Sequence, residues 1–237
     1  PWMESLNITS NRRRKKVRMK NKLALIVPAV ILMIGIGIAY QMIKAGRTLP
    51  IYSPAMLNPD LVDESKQGVS KNHRIADFKL TDQHGNTFST EDLEGKYYVT
   101  DFFFTTCPTI CPDMSSQLVR VQKAYPDNPD FKIISHSVTP EIDTPQVLLE
   151  YGKRYEANFD QWIFLTGDKK QIYDLARKSY FAATTEGDGG PDDFIHTENF
   201  ILVDKEKRIR GFYDGTDPES VDQLITDIEI LSQEYEN

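Results

Sequence analysis

The chain has 237 residues, 40% hydrophobic and 27% charged, with 28 Lys and Arg against 35 Asp and Glu for a formal net charge of −7. That is enough chain for one ordinary core plus an appended segment, so one globular domain is expected. Two cysteines exclude a disulfide framework and fall short of a four-thiolate zinc site, so whatever they do is local.

Eight Lys or Arg crowd the stretch from Arg12 to Lys22, and Leu23 to Ile43 then run 21 residues without a charge. That length suits a helix crossing a hydrocarbon layer of roughly 30 Å, and it exceeds the apolar region of a cleaved signal peptide, about 7 to 15 residues. Only Lys44 and Arg47 follow closely. The positive-inside bias therefore predicts residues 1–22 as a basic cytoplasmic N-terminus and 23–43 as a single-pass anchor in the cytoplasmic (inner) membrane. It puts the remainder on the periplasmic or extracytoplasmic side. Met19 reads as a natural start for such an anchor, and no function attaches to the residues before it. From Lys44 onward the chain has 20 basic and 34 acidic residues, net −14, which excludes a nucleic-acid partner.

Residues 44–72 mix Pro, Ser, Asn and charges without an apolar period and read as a linker, with a short strand expected around Leu49 to Tyr52. Residues 73–237 hold the folded domain. Its opening, ADFKLTDQHGNTFST, predicts two short strands joined by a turn at Gln83 to Asn86, and EDLEGK predicts a further turn. The run YYVTDFFF is aromatic and branched, and its unbroken apolarity suits a central strand covered on both faces. A helix from Cys111 to Ala124 follows, with Pro112 and Asp113 in its first turn and Met114, Leu118, Val121 and Gln122 at helical spacing. Next come a strand, FKIISHSV, and a helix, DTPQVLLEYGKRYE, with Thr144 as N-cap and Pro145 at its first position. WIFLTG is a strand, DKKQIYDLARKSY a helix, NFILVD and IRGFYDG two strands joined through KEKR, and the segment from Asp217 onward a closing helix.

Three strand–helix units followed by a hairpin and a helix make an α/β protein. Parallel strands need crossover helices, and the hairpin adds antiparallel strands at one side. The plan is thioredoxin-like: a central mixed sheet flanked by helices, here preceded by a predicted N-terminal transmembrane helix. The cysteine pair falls at the carboxyl end of the first long strand, where such sheets place ligand chemistry.

Both cysteines lie in FFFTTCPTICPD. Cys107 is in the loop after the strand, and Cys111 stands four residues on, at the helix start. That spacing lets the two thiols converge, and the orphan N–H groups of a helix start favour thiolate. A redox couple, a pair of Cu(I) or zinc ligands, and an inert disulfide all remain open, although a disulfide closing so short a loop constrains little of the unfolded chain. Among the four histidines, His73 and His84 read as surface residues and His136, inside a strand, as a packed or hydrogen-bonded one. His196 differs, because it follows the polar, Gly-rich TTEGDGGPDD and precedes a strand, where a loop can fold back over the start of the first helix. Asp101, six residues before Cys107, is placed like the buried acid of thioredoxins and is a candidate proton acceptor in thiol exchange. The plain alternative is a strand Asp bonded to a Lys or a backbone donor. Glu186, Asp188, Asp192 and Asp193 lack calcium-loop spacing and read as a solvated flap.

Taken together, DFFFTTCPTICPDM, SVTPEIDTP, FIHTENFILVD and GFYDGTD resemble the SCO/SenC family, membrane-anchored copper proteins that assist assembly of the copper centre of cytochrome c oxidase. The likeness runs from about Asp77 to the C-terminus. It implies a thioredoxin fold in which Cys107, Cys111 and His196 hold one copper ion per domain, as Cu(I) or Cu(II). The ion would pass by ligand exchange to the copper-bearing subunit of the oxidase or to another cuproprotein. Two thiolates and one imidazole suit trigonal Cu(I), whereas Cu(II) usually recruits a further ligand. The alternative is a thiol–disulfide oxidoreductase that reduces cysteines of a cuproprotein partner, with Cys107 and Cys111 as the redox pair and Asp101 beside them. Against it, thioredoxins have two intervening residues where this chain has three, and they place a proline where this chain has FIHT. The chain departs from the family at two points. Ile195 stands where Asp often precedes the histidine, and DKEKR lacks a turn glycine, so that Lys207 must take the turn.

Overall fold

The structure, a computed structural model, describes residues 27–28, 30–38, 48–54, 73–126, 128–183, 187, 189–190 and 193–236. The chain divides into two compact units, Pro1–Arg47 and Thr48–Asn237. In the first, residues 27–28 and 30–38 are helical and exposed. Among the described residues no helix is long and apolar enough to cross a membrane. The rest of the expected 23–43 span, the basic 1–22 segment and linker residues 44–47 and 55–72 lie outside the described residues.

The second unit is built on one seven-stranded sheet. Its strands are β1 (Lys79–Asp82), β2 (Thr87–Ser89), β3 (Tyr97–Phe103), β4 (Phe131–Ser137), β5 (Trp162–Thr166), β6 (Asn199–Val203) and β7 (Ile209–Asp214). Among the described residues three α-helices lie between strands, α1 (Ile110–Ala124), α2 (Pro145–Arg154) and α3 (Lys169–Asp174), and α4 (Pro218–Glu236) follows the last strand. The strand order is β2-β1-β5-β4-β3-β6-β7. Strands β3, β4 and β5 are parallel, as the crossovers through α1 and α2 require. The β6–β7 hairpin lies antiparallel on β3, and the β1–β2 hairpin lies antiparallel on β5. This is the expected mixed sheet flanked by helices.

Alternation along β3 divides the core in two. Val99 and Phe103 pack with Met114, Leu118 and Val121 of α1 and with α4, while Tyr98 and Phe102 pack on the opposite face with α3 and the segment around Ile75. All seven residues of β3 are buried, as a central strand demands. Asp101 shares the Val99–Phe103 face and is therefore carried beneath α1, whose first turn holds Cys111 and whose lead-in loop holds Cys107.

Local chemistry moved several expected boundaries. EDLEGK opens as a 3-10 turn, Thr90–Leu93, because Ser89 and Asp92 cap it reciprocally. The expected helix over 168–180 is α-helical only to Asp174; Leu175–Ser179 form a π-helical turn, with the Tyr180 N–H on the Leu175 carbonyl at 2.8 Å. No strand forms at Leu49 to Tyr52. Tyr52 donates one backbone bond to Ile209, but Pro50 has no N–H, and the Arg210 guanidinium takes the carbonyls of Leu49 and Pro50 at 2.8 and 3.1 Å. Lys207 does take the turn that glycine would fill, at φ 62°.

Candidate functional site

The cysteine turn grows from the end of β3. Phe104 leaves the strand, its carbonyl accepts the Cys107 N–H at 3.3 Å, and α1 begins at Ile110 with no side-chain cap from Thr109. The uncapped helix start leaves its N–H groups to the sulfur. The Cys111 N–H points at the Cys107 sulfur at 3.4 Å, and the Thr109 hydroxyl lies 3.6 Å from the same atom. Both cysteines are free thiols and buried, Cys107 at 7% exposure and Cys111 at 3%.

Their environments push them apart. Burial would raise the Cys107 thiol, but the backbone N–H groups of Cys111 and Thr109, the Cys111 thiol and the Thr109 hydroxyl all favour the thiolate and bring it down to about 6. Burial drives Cys111 far above the ordinary thiol range; the Cys107 thiolate and the Asp101 carboxylate add to that, and the Phe104 N–H only partly offsets it. The turn therefore favours a thiolate at Cys107 beside a protonated Cys111.

Thr105, two residues before Cys107, is fastened from below. Asp143, fully buried, accepts the Thr105 N–H at 3.2 Å and its hydroxyl at 2.5 Å. The same carboxylate takes the hydroxyls of Ser137 at 2.6 Å and Thr139 at 3.1 Å, which ties the turn to the end of β4. Asp143 was hidden in the sequence, because its neighbour Thr144 carries the N-cap signal and Asp143 reads as a mere lead-in.

Asp101 is 2% exposed and faces Ser135, its register partner on β4; Ser135 donates its hydroxyl to Asp101 at 2.5 Å and receives the Trp162 indole N–H at 2.9 Å. Its partner is thus a hydroxyl, not a lysine. Burial, against the Ser135 bond, raises its carboxyl to about 7.

His196 stands exposed, edge-on to the Phe104 ring at 6.4 Å. Phe194, 46% exposed, packs on the same ring at 5.1 Å. Phe104 therefore touches both parts of the expected site: its backbone holds the thiols and its ring meets His196. Among the described residues no group of three or more His, Cys, Asp and Glu side chains stands together closely enough to hold a metal ion. The structure brings Cys107 and Cys111 together and places His196 against the ring of Phe104, without gathering the three into one ligand cluster. As a donor set, one thiolate, one adjacent thiol and an exposed imidazole fit a soft monovalent ion.

The other histidines separate cleanly. His84 is exposed as expected, against Phe159. His136 is fully buried, stacked on Phe102 at 5.0 Å with Nδ1 3.0 Å from the Thr100 hydroxyl, and burial lowers it to about 3. His73, expected at the surface, is instead buried: it lies against Phe181, and its Nε2 bonds the Ser179 carbonyl at 2.7 Å. The chain end before β1 folds over the π turn and takes His73 with it. Of the supposed solvated flap, Glu186, Asp188 and Asp192 lie outside the described residues, and the Asp193 side chain is only 7% exposed and pairs with Arg177 at 2.6 Å. A cavity of about 550 Å³ opens at the other end of β3, beside Tyr97 and Asp130, away from this chemistry. Its Lys205 is already committed to Asp130 at 2.6 Å.

A protein-family model described as SCO1/SenC matches residues 66–233. The chain is 36% identical over 163 residues to the SCO1 protein homolog of Bacillus subtilis, covering 68% of this chain and 84% of that one. Among solved structures it is similar to BsSco, described as a Sco-family cytochrome c oxidase assembly protein with a disulfide switch: 36% identity, TM-score 0.58, 68% of this chain and 94% of that one. It is also similar to Bradyrhizobium japonicum ScoI with copper bound, at 26% identity and TM-score 0.52, covering 65% of this chain and 98% of that one.

Proposed function

Because this chain belongs to the SCO1/SenC family, we propose that it binds one copper ion through Cys107, Cys111 and His196 and passes it on during assembly of a cytochrome c oxidase copper centre. Relatives described as copper-bound and as oxidase assembly proteins support this reading. The observation that carries it is the thiol turn, where a buried, N–H-stabilised Cys107 sits beside Cys111 and bonds the backbone of Phe104, whose ring faces His196. Cys107 offers a sulfur donor at neutral pH without losing a proton. Cys111 must release its proton as the ion enters, so uptake strengthens as pH rises. His196, exposed at the rim, is the donor an acceptor's ligand can displace first. In this reading residues 23–43 hold the domain on the extracytoplasmic side of the inner membrane, and the tether raises the local concentration of donor beside a membrane-bound acceptor, the copper-bearing oxidase subunit or another cuproprotein.

Titration of the full chain with Cu(I) against a chromogenic chelator tests it. Saturation at one ion per chain is expected. Tight binding that survives replacement of Cys107, Cys111 and His196 by Ala would remove the reading.

A second function is favoured by the opposed thiols and Asp101. Cys107 thiolate attacks a partner disulfide, forming a mixed disulfide and releasing one partner thiolate. Asp101 takes the Cys111 proton, and Cys111 then attacks the Cys107 sulfur and expels the second partner sulfur as a thiolate, to which Asp101 can return the proton. The partner gains two electrons, and this chain is left as the Cys107–Cys111 disulfide. A rate with a model disulfide that collapses in Asp101→Asn supports this function; an unchanged rate removes Asp101 from it.

A further inference from the structure

His196 lies on a segment whose side chains alternate between anchored and free. Asp193, Ile195 and Thr197 point inward, whereas Phe194, His196 and Glu198 are exposed. Ile195 is buried in the core cluster that also contains Tyr173. Thr197 donates its hydroxyl to the Ala182 carbonyl at 2.6 Å. Asp193 makes the strongest of the three attachments. Its two carboxylate oxygens receive both terminal nitrogens of Arg177 at 2.6 Å each, with the side chains only 10% and 7% exposed, and Oδ2 also accepts the Gly189 N–H at 2.7 Å. The Arg177 guanidinium lies 5.3 Å over the Tyr173 ring. The Tyr173 hydroxyl reaches the carbonyls of both Asp193, at 3.2 Å, and Val138, at the end of β4, at 3.0 Å.

Arg177 belongs to the π-helical turn, outside the thiol site, and the proposed chemistry gives it no part. A bidentate guanidinium–carboxylate fork fixes distance and plane together, which a lysine cannot do. We infer that Arg177 and Asp193 are positioning residues: their buried fork sets where the 193–197 segment stands against Phe104, and so presents His196 to the thiols. Ile195 is apolar and buried, and the acid two places earlier, Asp193, faces inward and engages Arg177. The inference rests on the ligand reading above, and it predicts that the fork matters to copper only through His196.

A double-mutant cycle on the full chain reads this directly. Copper affinity by chelator competition and the nitrogen hyperfine pattern of the Cu(II) form are measured for Asp193→Asn, Arg177→Lys and His196→Ala, and for each fork variant combined with His196→Ala. Circular dichroism checks that each is folded. The fork variants are expected to lose roughly 10- to 100-fold in affinity, as other groups that orient metal ligands do, with a weakened nitrogen signal, and to have no further effect once His196 is gone. Arg177→Lys keeps the charge, so it should be the milder change and the usable variant if Asp193→Asn fails to fold. An equal loss in the His196→Ala background, or wild-type affinity and hyperfine pattern in the fork variants, overturns the inference. If His196→Ala alone leaves both readouts unchanged, the ligand reading falls instead, and the inference with it.

Discussion

The thiol turn and the histidine segment are held in opposite ways. Cys107 and Cys111 sit four residues apart, and the hydrogen bonds to their sulfurs are local: N–H groups of the same turn, the Thr109 hydroxyl and the backbone of Phe104. His196 lies far along the chain and is placed by contacts from other elements, through Arg177, Ala182 and the core around Ile195. A turn of this kind carries its hydrogen-bond donors with it, while burial by the surrounding fold sets how far each thiol is shifted. A segment held at a distance depends on the packing of everything beneath it.

The largest expected effect breaks the local side. Cys111→Ser should end one-to-one Cu(I) binding, because a hydroxyl is a poor ligand for a soft ion, while His196→Ala should weaken binding without ending it. Chelator competition on both variants measures the contrast, and the reverse ranking would make the distant ligand the dominant one.

Asp101→Asn comes next and is read against pH. The folded chain raises the Asp101 carboxyl from 3.8 to about 7, so the folded state holds that proton more tightly than the unfolded state does. Stability from this group is full below about 3.8 and is lost as pH rises through about 7. Asparagine cannot ionise and still accepts the Ser135 hydroxyl. The variant should therefore be more stable than wild type above pH 7, on the order of 4 kcal/mol, with the gap closing toward pH 4 in urea melts.

Asp143→Ala tests the support of the turn. Losing the carboxylate strands the buried Ser137 hydroxyl and frees the part-buried Thr105 N–H and the Thr105 and Thr139 hydroxyls, which should cost about 2 kcal/mol in the same melts. Alkylation of Cys107 should become faster as Thr105 loosens, with little change in the fold's spectrum. The smallest effect belongs to the β6–β7 turn. Lys207→Gly relieves a left-handed backbone but gives up the 2.6 Å pair with Asp77, so a gain of about 1 kcal/mol or less is expected in Tm measurements.

The periodic part of the fold was legible. Continuous apolarity marked β3, the Thr-Pro start marked α2, and helical spacing put Met114, Leu118, Val121 and Gln122 of α1 on the buried face. The π turn was not legible, because DLARKSY carries an ordinary helical pattern and the widening appears only once Tyr180 and Phe181 pack beneath the sheet. His73 and Asp193 were misjudged for a related reason. Each is a polar residue in a polar stretch, and burial came from a partner, the Ser179 carbonyl or Arg177, far off in sequence.

The sequence by itself determined the thiol pair, its place at the end of a central strand, and His196 as the histidine to watch, because spacing and strand alternation are properties of neighbouring residues. Only the tertiary structure decided which thiol carries the charge and that Asp101 meets Ser135. It also decided that Asp143 fastens the turn and that Arg177 holds the segment bearing His196. Those outcomes depend on desolvation and on side chains meeting across elements, which chain order does not encode locally.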